Sequence, residues 1–147
     1  MKTIGIFTGS FNKFHIGHLD ILNKSKSIFG EDNVIVAIGI NPGKNEEDNG
    51  RFYELKKKLG NVESYSGFTH EYIEEKEKLG FNVVLIRGIR DEKDFIYENL
   101  QLKYMKDFKP DIKYVFIQCS EEYNHISSSG IKQLDKIKKG SGDKYIF

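Results

Sequence analysis

His15 and His18 stand three residues apart, just after a Gly9-Ser10-Phe11 turn that closes the first apolar run. Gly9 and Gly17 permit tight backbone turns, and a helix opening here offers unpaired N–H groups and the positive end of its dipole. Imidazole N–H groups at that end suit phosphate oxygens; the same spacing also fits a metal pair or two surface histidines. A second set, Ile126-Ser127-Ser128-Ser129, opens the last helical stretch. Its serines satisfy a helix N-terminus, and a capped N-terminus is also an anion site. A third, Arg87-Gly88-Ile89-Arg90, follows a buried strand pattern and leads into Asp91, Asp94-Phe95 and Tyr97-Glu98. Two arginines around a glycine suit bidentate capture of phosphate, or else form solvated salt bridges with those acids. Lys44, in the segment after the second apolar run, is a fourth candidate among many lysines. The common thread is a small, multiply charged anion.

The apolar pattern predicts the elements that must hold these residues. Thr3 to Phe7 reads as a short buried strand, and His18 to Phe29 as a helix stopped by Gly30, with Leu19, Ile21, Leu22, Ile28 and Phe29 at helical spacing. Asn33 to Ile40 is almost continuously apolar, the pattern of a strand covered on both faces. Pro42 to Gly50 reads as a polar loop, Arg51 to Leu59 as a short helix and Val62 to Tyr65 as a short strand. Glu71 to Leu79 is a charged helix, and Asn82 to Arg87 another buried strand. The next helix runs from Glu92 to Phe108, with Ile96, Leu100, Tyr104 and Phe108 four apart on one core-facing stripe that Phe95, Leu102 and Met105 widen. Lys113 to Gln118 reads as a strand and Ser128 to Lys139 as a last helix. Strand and helix in alternation predict one α/β domain over residues 1–147, a Rossmann-like parallel sheet with helices on both faces. In such sheets ligands bind beyond the carboxyl ends of the strands, where the strand order reverses.

Composition narrows the classes. The chain has 147 residues, 38% hydrophobic and 31% charged, which excludes a membrane bundle and is unlike a disordered chain. Charge is balanced, 23 Lys+Arg against 22 Asp+Glu, so a duplex-coating surface has no support and no nucleic-acid partner is expected. Cys119 is the only cysteine, which rules out an intrachain disulfide and a four-cysteine zinc site. The longest apolar stretch, Val34 to Ile40, is far too short to span a bilayer, and the first residues lack a secretory signal. A reducing, cytoplasmic location is the expectation, with no membrane partner.

Together these residues resemble the phosphopantetheine adenylyltransferases, a branch of the nucleotidyltransferase superfamily marked by a T/H-x-G-H signature. The matching pieces are Thr8–Phe11, His15–His18, Asn41–Lys44, Arg87–Arg90 with Asp94-Phe95-x-Tyr97-Glu98, and Ile126–Ser129. The resemblance implies that ATP and 4′-phosphopantetheine give dephospho-coenzyme A and pyrophosphate with Mg²⁺ assisting, the metal held through ATP and water. It implies that His18 hydrogen-bonds the α-phosphate, that Ser10 aligns the attacking phosphate, and that Lys44 and Arg87 hold the acceptor's phosphate. Arg90, the backbone of Gly88 and Ile89, and Ser127, Ser128 and Ser129 would bind ATP phosphates, with His15 and Phe11 beside them. Glu98 would meet the nucleoside, Tyr123, Asn124, His125 and Ile126 would line its pocket, and Tyr72 and Ile73 would wall the pantetheine arm. A homo-oligomer, hexameric in the family, is a further expectation. The chain departs from the family at Thr8, where Pro is usual, and at Asn12-Lys13, where Asp-Pro is usual. Asn49-Gly50-Arg51 is at best a remnant of the usual Leu-Glu-Glu-Arg helix, and Gln101 and Met105 replace Leu and Asn. The usual final helix has no counterpart. These departures cluster on the acceptor side, leaving nicotinamide mononucleotide or another phosphorylated acceptor, or a non-catalytic nucleotide-binding homologue, as alternatives.

Overall fold

Five extended runs pair side by side, all parallel: β1 (Thr3–Gly9), β2 (Val34–Ile40), β3 (Val62–Ser66), β4 (Asn82–Ile89) and β5 (Lys113–Gln118). The computed structural model describes residues 1–40 and 47–147. The helices are α1 (Ile16–Phe29), α2 (Glu47–Leu59), α3 (Thr69–Lys78), α4 (Glu92–Phe108) and α5 (Ser128–Ile137), with a 3-10 turn at Asp143–Tyr145. The sheet order is β3-β2-β1-β4-β5. The chain therefore winds outward from β1 to β3, crosses back through α3 to the other side of β1, and winds outward again. The order reverses between β1 and β4, so their carboxyl ends diverge into a crevice where a ligand can enter.

Alternation along the strands sorts the core into two layers. Phe7, Val34, Val36, Ile38 and Ile86 pack against Ile21 and Leu22 of α1 and Leu55 of α2. Ile4, Ile6, Ile35, Ala37, Val83 and Leu85 pack against Tyr72 and Ile73 of α3 and Leu102 of α4. Central parallel strands covered on both faces have no solvent side, which is why β2 is nearly continuous hydrocarbon in the sequence.

The α/β architecture and the spans of α4 and β5 follow the sequence reading, and several boundaries move. α1 opens at Ile16 rather than His18, with His15 as its cap. β4 continues to Ile89, so Arg87, Gly88 and Ile89 lie inside the strand, opposite Phe116, Ile117 and Gln118 of β5. The loop expected from Pro42 to Gly50 is corrected over its second half, because α2 already begins at Glu47; the first half lies outside the described residues. Gly50 costs a helix only about 1 kcal/mol against alanine. The expected core stripe of α4 is also corrected. Ile96, Leu100, Tyr104 and Phe108 are exposed, Leu100 least at 47% and Phe108 most at 63%, while Leu102 is buried and Met105 half-buried against the sheet. The helix turns a different face inward and leaves that stripe exposed, with Phe108 stacked on Phe68 and His70 at its end.

Candidate active site

The turn after β1 is shaped around aromatic rings. Phe11 adopts a left-handed φ of 46°, unusual for a residue with a side chain. Its ring meets Phe7 at 5.1 Å and stands edge-on to His18 at 5.0 Å between centroids. A Cβ on Gly9 would come within 2.8 Å of that ring, so only glycine fits there without displacing it. Phe14 lies on another side of His18, at 5.2 Å, and its carbonyl accepts from the Phe147 N–H at 3.0 Å. The imidazole is thus gripped by two buried phenyl rings.

A reciprocal cap orients the two histidines. His15 Nδ1 accepts from the backbone N–H groups of Gly17 (3.1 Å) and His18 (3.4 Å), and His18 Nδ1 accepts from the backbone N–H of His15 (3.1 Å). The rings stack at 3.7 Å. A Cβ on Gly17 would sit 3.0 Å from the His15 ring, which explains the small residue between them. A nitrogen that accepts a hydrogen bond carries no proton, so each neutral ring bears its proton on Nε2. Burial, then mutual proximity and the Arg90 charge, lower the His18 pKa to about 3; burial, then Arg90, lower that of His15 to about 4. Both rings are neutral at pH 7, each a donor through one N–H.

The arginines are tethered. Arg87 donates from Nε and Nη2 to both carboxylate oxygens of Glu98, at 2.7 and 2.8 Å, and from Nη1 to Thr8 Oγ1 at 2.8 Å and the Thr8 carbonyl at 3.2 Å. Arg90 donates from Nε and Nη2 to Asp94, at 2.8 and 3.1 Å, and from Nη1 to the Ile126 carbonyl at 3.3 Å. Asp94 is itself placed because Asp91 caps α4 by accepting from the Asp94 N–H at 2.9 Å. The hydrogen bonds from Arg90 hold the Asp94 carboxyl below its ordinary pKa. At the opposite wall Ser127 caps α5, its Oγ accepting from the Gly130 N–H at 2.9 Å.

These groups surround one cleft of about 370 Å³ at the ends of β1 and β4, lined by Ser10, Phe11, His15 and His18, by Arg87 to Arg90, and by Ser127, Ser128 and Ser129. A smaller cavity of about 160 Å³ between α4 and the sheet shares Arg87 and Glu98 with it, and adds Gln101, Leu102 and Met105. Thr8, Asp94 and Cys119 also line the cleft; the sequence marked Thr8 and Asp94 only as parts of matching motifs, with Asp94 among the acids open to the arginines, and nothing in it marked Cys119.

Not every expected residue arrives. Lys44 lies outside the described residues. The placement of Tyr72 and Ile73 at a pantetheine wall is corrected: Ile73 is 1% exposed in the core, and Tyr72 is buried, its hydroxyl donating to Glu63 at 2.6 Å and its ring stacked on Tyr65. Neither lines either cavity. Tyr123, Asn124 and His125 form a turn beside the cleft rather than in its lining, and Ile126 buries its side chain and contributes its carbonyl to Arg90. That turn is fastened to α1 by Asp20, which accepts from the Ser120 N–H at 2.8 Å and its hydroxyl at 3.2 Å. Among the described residues no three of His, Cys, Asp and Glu converge as metal ligands. Both carboxylates of the cleft are taken up by arginine, so its donor set fits a cation carried on substrate phosphates and not one caged by protein.

A parallel sheet with a cation-rich, N–H-rich crevice at its reversal point defines a nucleotidyltransferase-like site, and a family model of cytidylyltransferase-like proteins matches residues 6–134. Phosphopantetheine adenylyltransferases of Clostridium tetani and Streptococcus pneumoniae are each 34% identical over 139 residues, covering 89% and 91% of this chain and 82% and 84% of theirs. That of Clostridium novyi is 35% identical over 139 residues, 89% of this chain and 82% of its own. A crystal structure described as a nicotinate-nucleotide adenylyltransferase of Vibrio parahaemolyticus shares the fold, with a TM-score of 0.62 at 16% identity over 97% of this chain and 86% of that one. The chain belongs to the cytidylyltransferase-like family and, within it, to the phosphopantetheine adenylyltransferases.

The buried imidazoles carry a pH signature. Unfolded, they take up protons near pH 6.5; folded, only near 3 and 4. Below 6.5 the unfolded chain therefore binds more protons, and stability falls as pH falls. Thermal unfolding should show Tm dropping between pH 6.5 and about 4, and dropping less in a His15→Asn, His18→Asn double variant, whose amide oxygens can still accept the capping N–H bonds. Parallel Tm curves for the two proteins would contradict the buried neutral pair.

Proposed function

We propose that this chain transfers AMP from ATP to 4′-phosphopantetheine, forming dephospho-coenzyme A and releasing pyrophosphate. What carries the reading is one crevice that unites two neutral imidazoles, two tethered arginines and a serine-capped helix start, in a chain of this family. The acceptor's phosphate oxygen attacks the α-phosphorus of ATP in line, and the bond to the β-phosphate oxygen breaks. No protein nucleophile is needed, so the protein's part is positioning and charge stabilisation.

His18 donates from Nε2 to an α-phosphate oxygen, a bond that strengthens as charge builds there. His15 donates beside it and holds the His18 backbone. Arg90, the backbone of Gly88 and Ile89, and Ser127, Ser128 and Ser129 at the α5 N-terminus receive the remaining phosphates. Phe11, Glu98 and the turn from Tyr123 to Ile126 face the nucleoside, Glu98 sharing its carboxylate with Arg87. Ser10 aligns the attacking phosphate. Arg87 faces both cavities, which suits it to hold that phosphate with Lys44 while the pantetheine arm enters the space between Gln101, Leu102 and Met105. Mg²⁺, arriving on the triphosphate, would neutralise phosphate charge. A cytoplasmic setting, without nucleic-acid or membrane partners, fits a small-molecule reaction; no helix among the described residues is long and apolar enough to cross a membrane. The exposed Ile96, Leu100, Tyr104 and Phe108 stripe supports a homo-oligomer, a hexamer in the family pattern.

An acceptor panel with ATP and Mg²⁺ tests the reaction: pyrophosphate release should require 4′-phosphopantetheine, and turnover with nicotinamide mononucleotide alone would refute it. ATP binding without release on any acceptor would make the chain an idle binder. In His18→Asn the cap survives and Nε2 is lost, so ATP should still bind while turnover falls roughly 10²–10³-fold; unchanged turnover removes His18 from this role. Sedimentation should give a mass above that of one chain, reduced by Tyr104→Glu; a monomeric wild type disposes of the assembly.

A further inference from the structure

Thr8 is 3% exposed at the end of β1, and a hydroxyl so deeply buried requires a partner. That partner is Arg87, whose Nη1 reaches the Thr8 hydroxyl at 2.8 Å and the Thr8 carbonyl at 3.2 Å. From α4, Glu98 engages the remaining nitrogens, Nε at 2.7 Å and Nη2 at 2.8 Å. Contacts from a strand on one side and a helix on the other fix a planar group against both tilt and rotation. A guanidinium has five N–H donors. Two go to Glu98 and two face Thr8, which leaves one, on Nη2, uncommitted among the described residues. Arg87 is also the cation that lines both cavities.

We infer that Thr8 is a positioning residue: its hydroxyl, opposite Glu98, holds the Arg87 guanidinium so that its free N–H meets the phosphate of the acceptor. This rests on the reading of Arg87 as that phosphate's ligand. Glu98 alone would leave the group free to swing about the axis of the ion pair, and the carbonyl of Thr8 is the longer of its two contacts. The hydroxyl is therefore the part a side-chain substitution can remove while strand and ion pair remain.

Steady-state kinetics with ATP and 4′-phosphopantetheine test it in Thr8→Val, Thr8→Ser and Arg87→Ala. Thr8→Val, which keeps the shape and loses the hydroxyl, should raise KM for 4′-phosphopantetheine about three- to tenfold, the size of one hydrogen bond's net contribution. KM for ATP should stay near wild type, and Thr8→Ser should restore the acceptor value. Thr8→Ala replaces the valine variant if that fails to fold. An unchanged acceptor KM, equal rises for both substrates, or a serine variant as impaired as valine would each overturn the inference. Arg87→Ala separates the two levels. If it raises the acceptor KM and Thr8→Val does not, Thr8 alone is wrong; if it too leaves the acceptor KM unchanged, the phosphate-ligand reading falls and this inference with it.

Discussion

The site depends on one reciprocal interaction, the exchange of backbone N–H bonds between His15 and His18 at the start of α1. Each ring spends Nδ1 on the other's neighbourhood, and this decides three things together. It satisfies helix N–H groups that would otherwise be orphaned beside a crevice. It fixes the tautomer, so that the cleft receives a donor and not a lone pair. It also clamps the ring plane, which Phe11 and Phe14 then hold from the sides. A histidine cap is an unusual choice where serine or aspartate is common. Aspartate would satisfy the same N–H groups but place a negative charge where phosphate must sit.

The electrostatics follow from that choice. Neutral imidazoles need no proton from solvent and gain strength from proximity to charge, while the positive field comes from Arg90 and the helix ends. The arginines are paired with Asp94 and Glu98, which reduces the net charge of the empty cleft. Those pairings also immobilise two long side chains before any ligand arrives, so less rotamer freedom is lost when phosphate binds. Asp94 and Glu98 sit one turn apart on α4, and the two arginines they hold lie at the end of β4 and just beyond it. One helix therefore sets the position of both cations.

Much of this was legible in the sequence because the requirements are local. Central parallel strands buried on both faces must be nearly apolar throughout, so β2 and β4 announce themselves. A phosphate-binding turn needs small residues and donors, so the segments from Thr8, His15, Arg87 and Ile126 stand out. What was illegible depends on partners distant in the chain. The stripe of Ile96, Leu100, Tyr104 and Phe108 has the period of a core face, yet Leu102 and Met105 face the sheet, because α4 must also aim Glu98 and Asp94 at the arginines. Tyr72 and Ile73 carry no local mark that separates a core residue from a substrate wall, and α3 turns them under the sheet. Gly50 looks like a break, and α2 absorbs it. The Thr8 contact spans 79 positions, and no spacing rule joins it to Arg87.

The topology explains why groups from both sides of the sheet can reach one cleft. His18 rises from α1, on the face that holds Phe7 and Ile86, whereas Glu98 stands on α4, over the face that holds Ile6 and Leu85. Within the sheet those layers are separated by the backbone of β1 and β4. Only past the carboxyl ends, where the winding reverses and the strands no longer cover the space between the layers, can a donor from one layer and a cation from the other converge. On the proposed reaction, in-line displacement needs that division. On that reading the triphosphate would lie against α1, Arg90 and the α5 N-terminus, and the incoming phosphate would be delivered from the α4 side by Arg87. Thr8 and Arg87 are neighbours across the β1–β4 boundary, so the proposed anchor of the acceptor stands at the same reversal point as the imidazole proposed to serve ATP. The sheet itself then sets the separation between attacking and leaving sides.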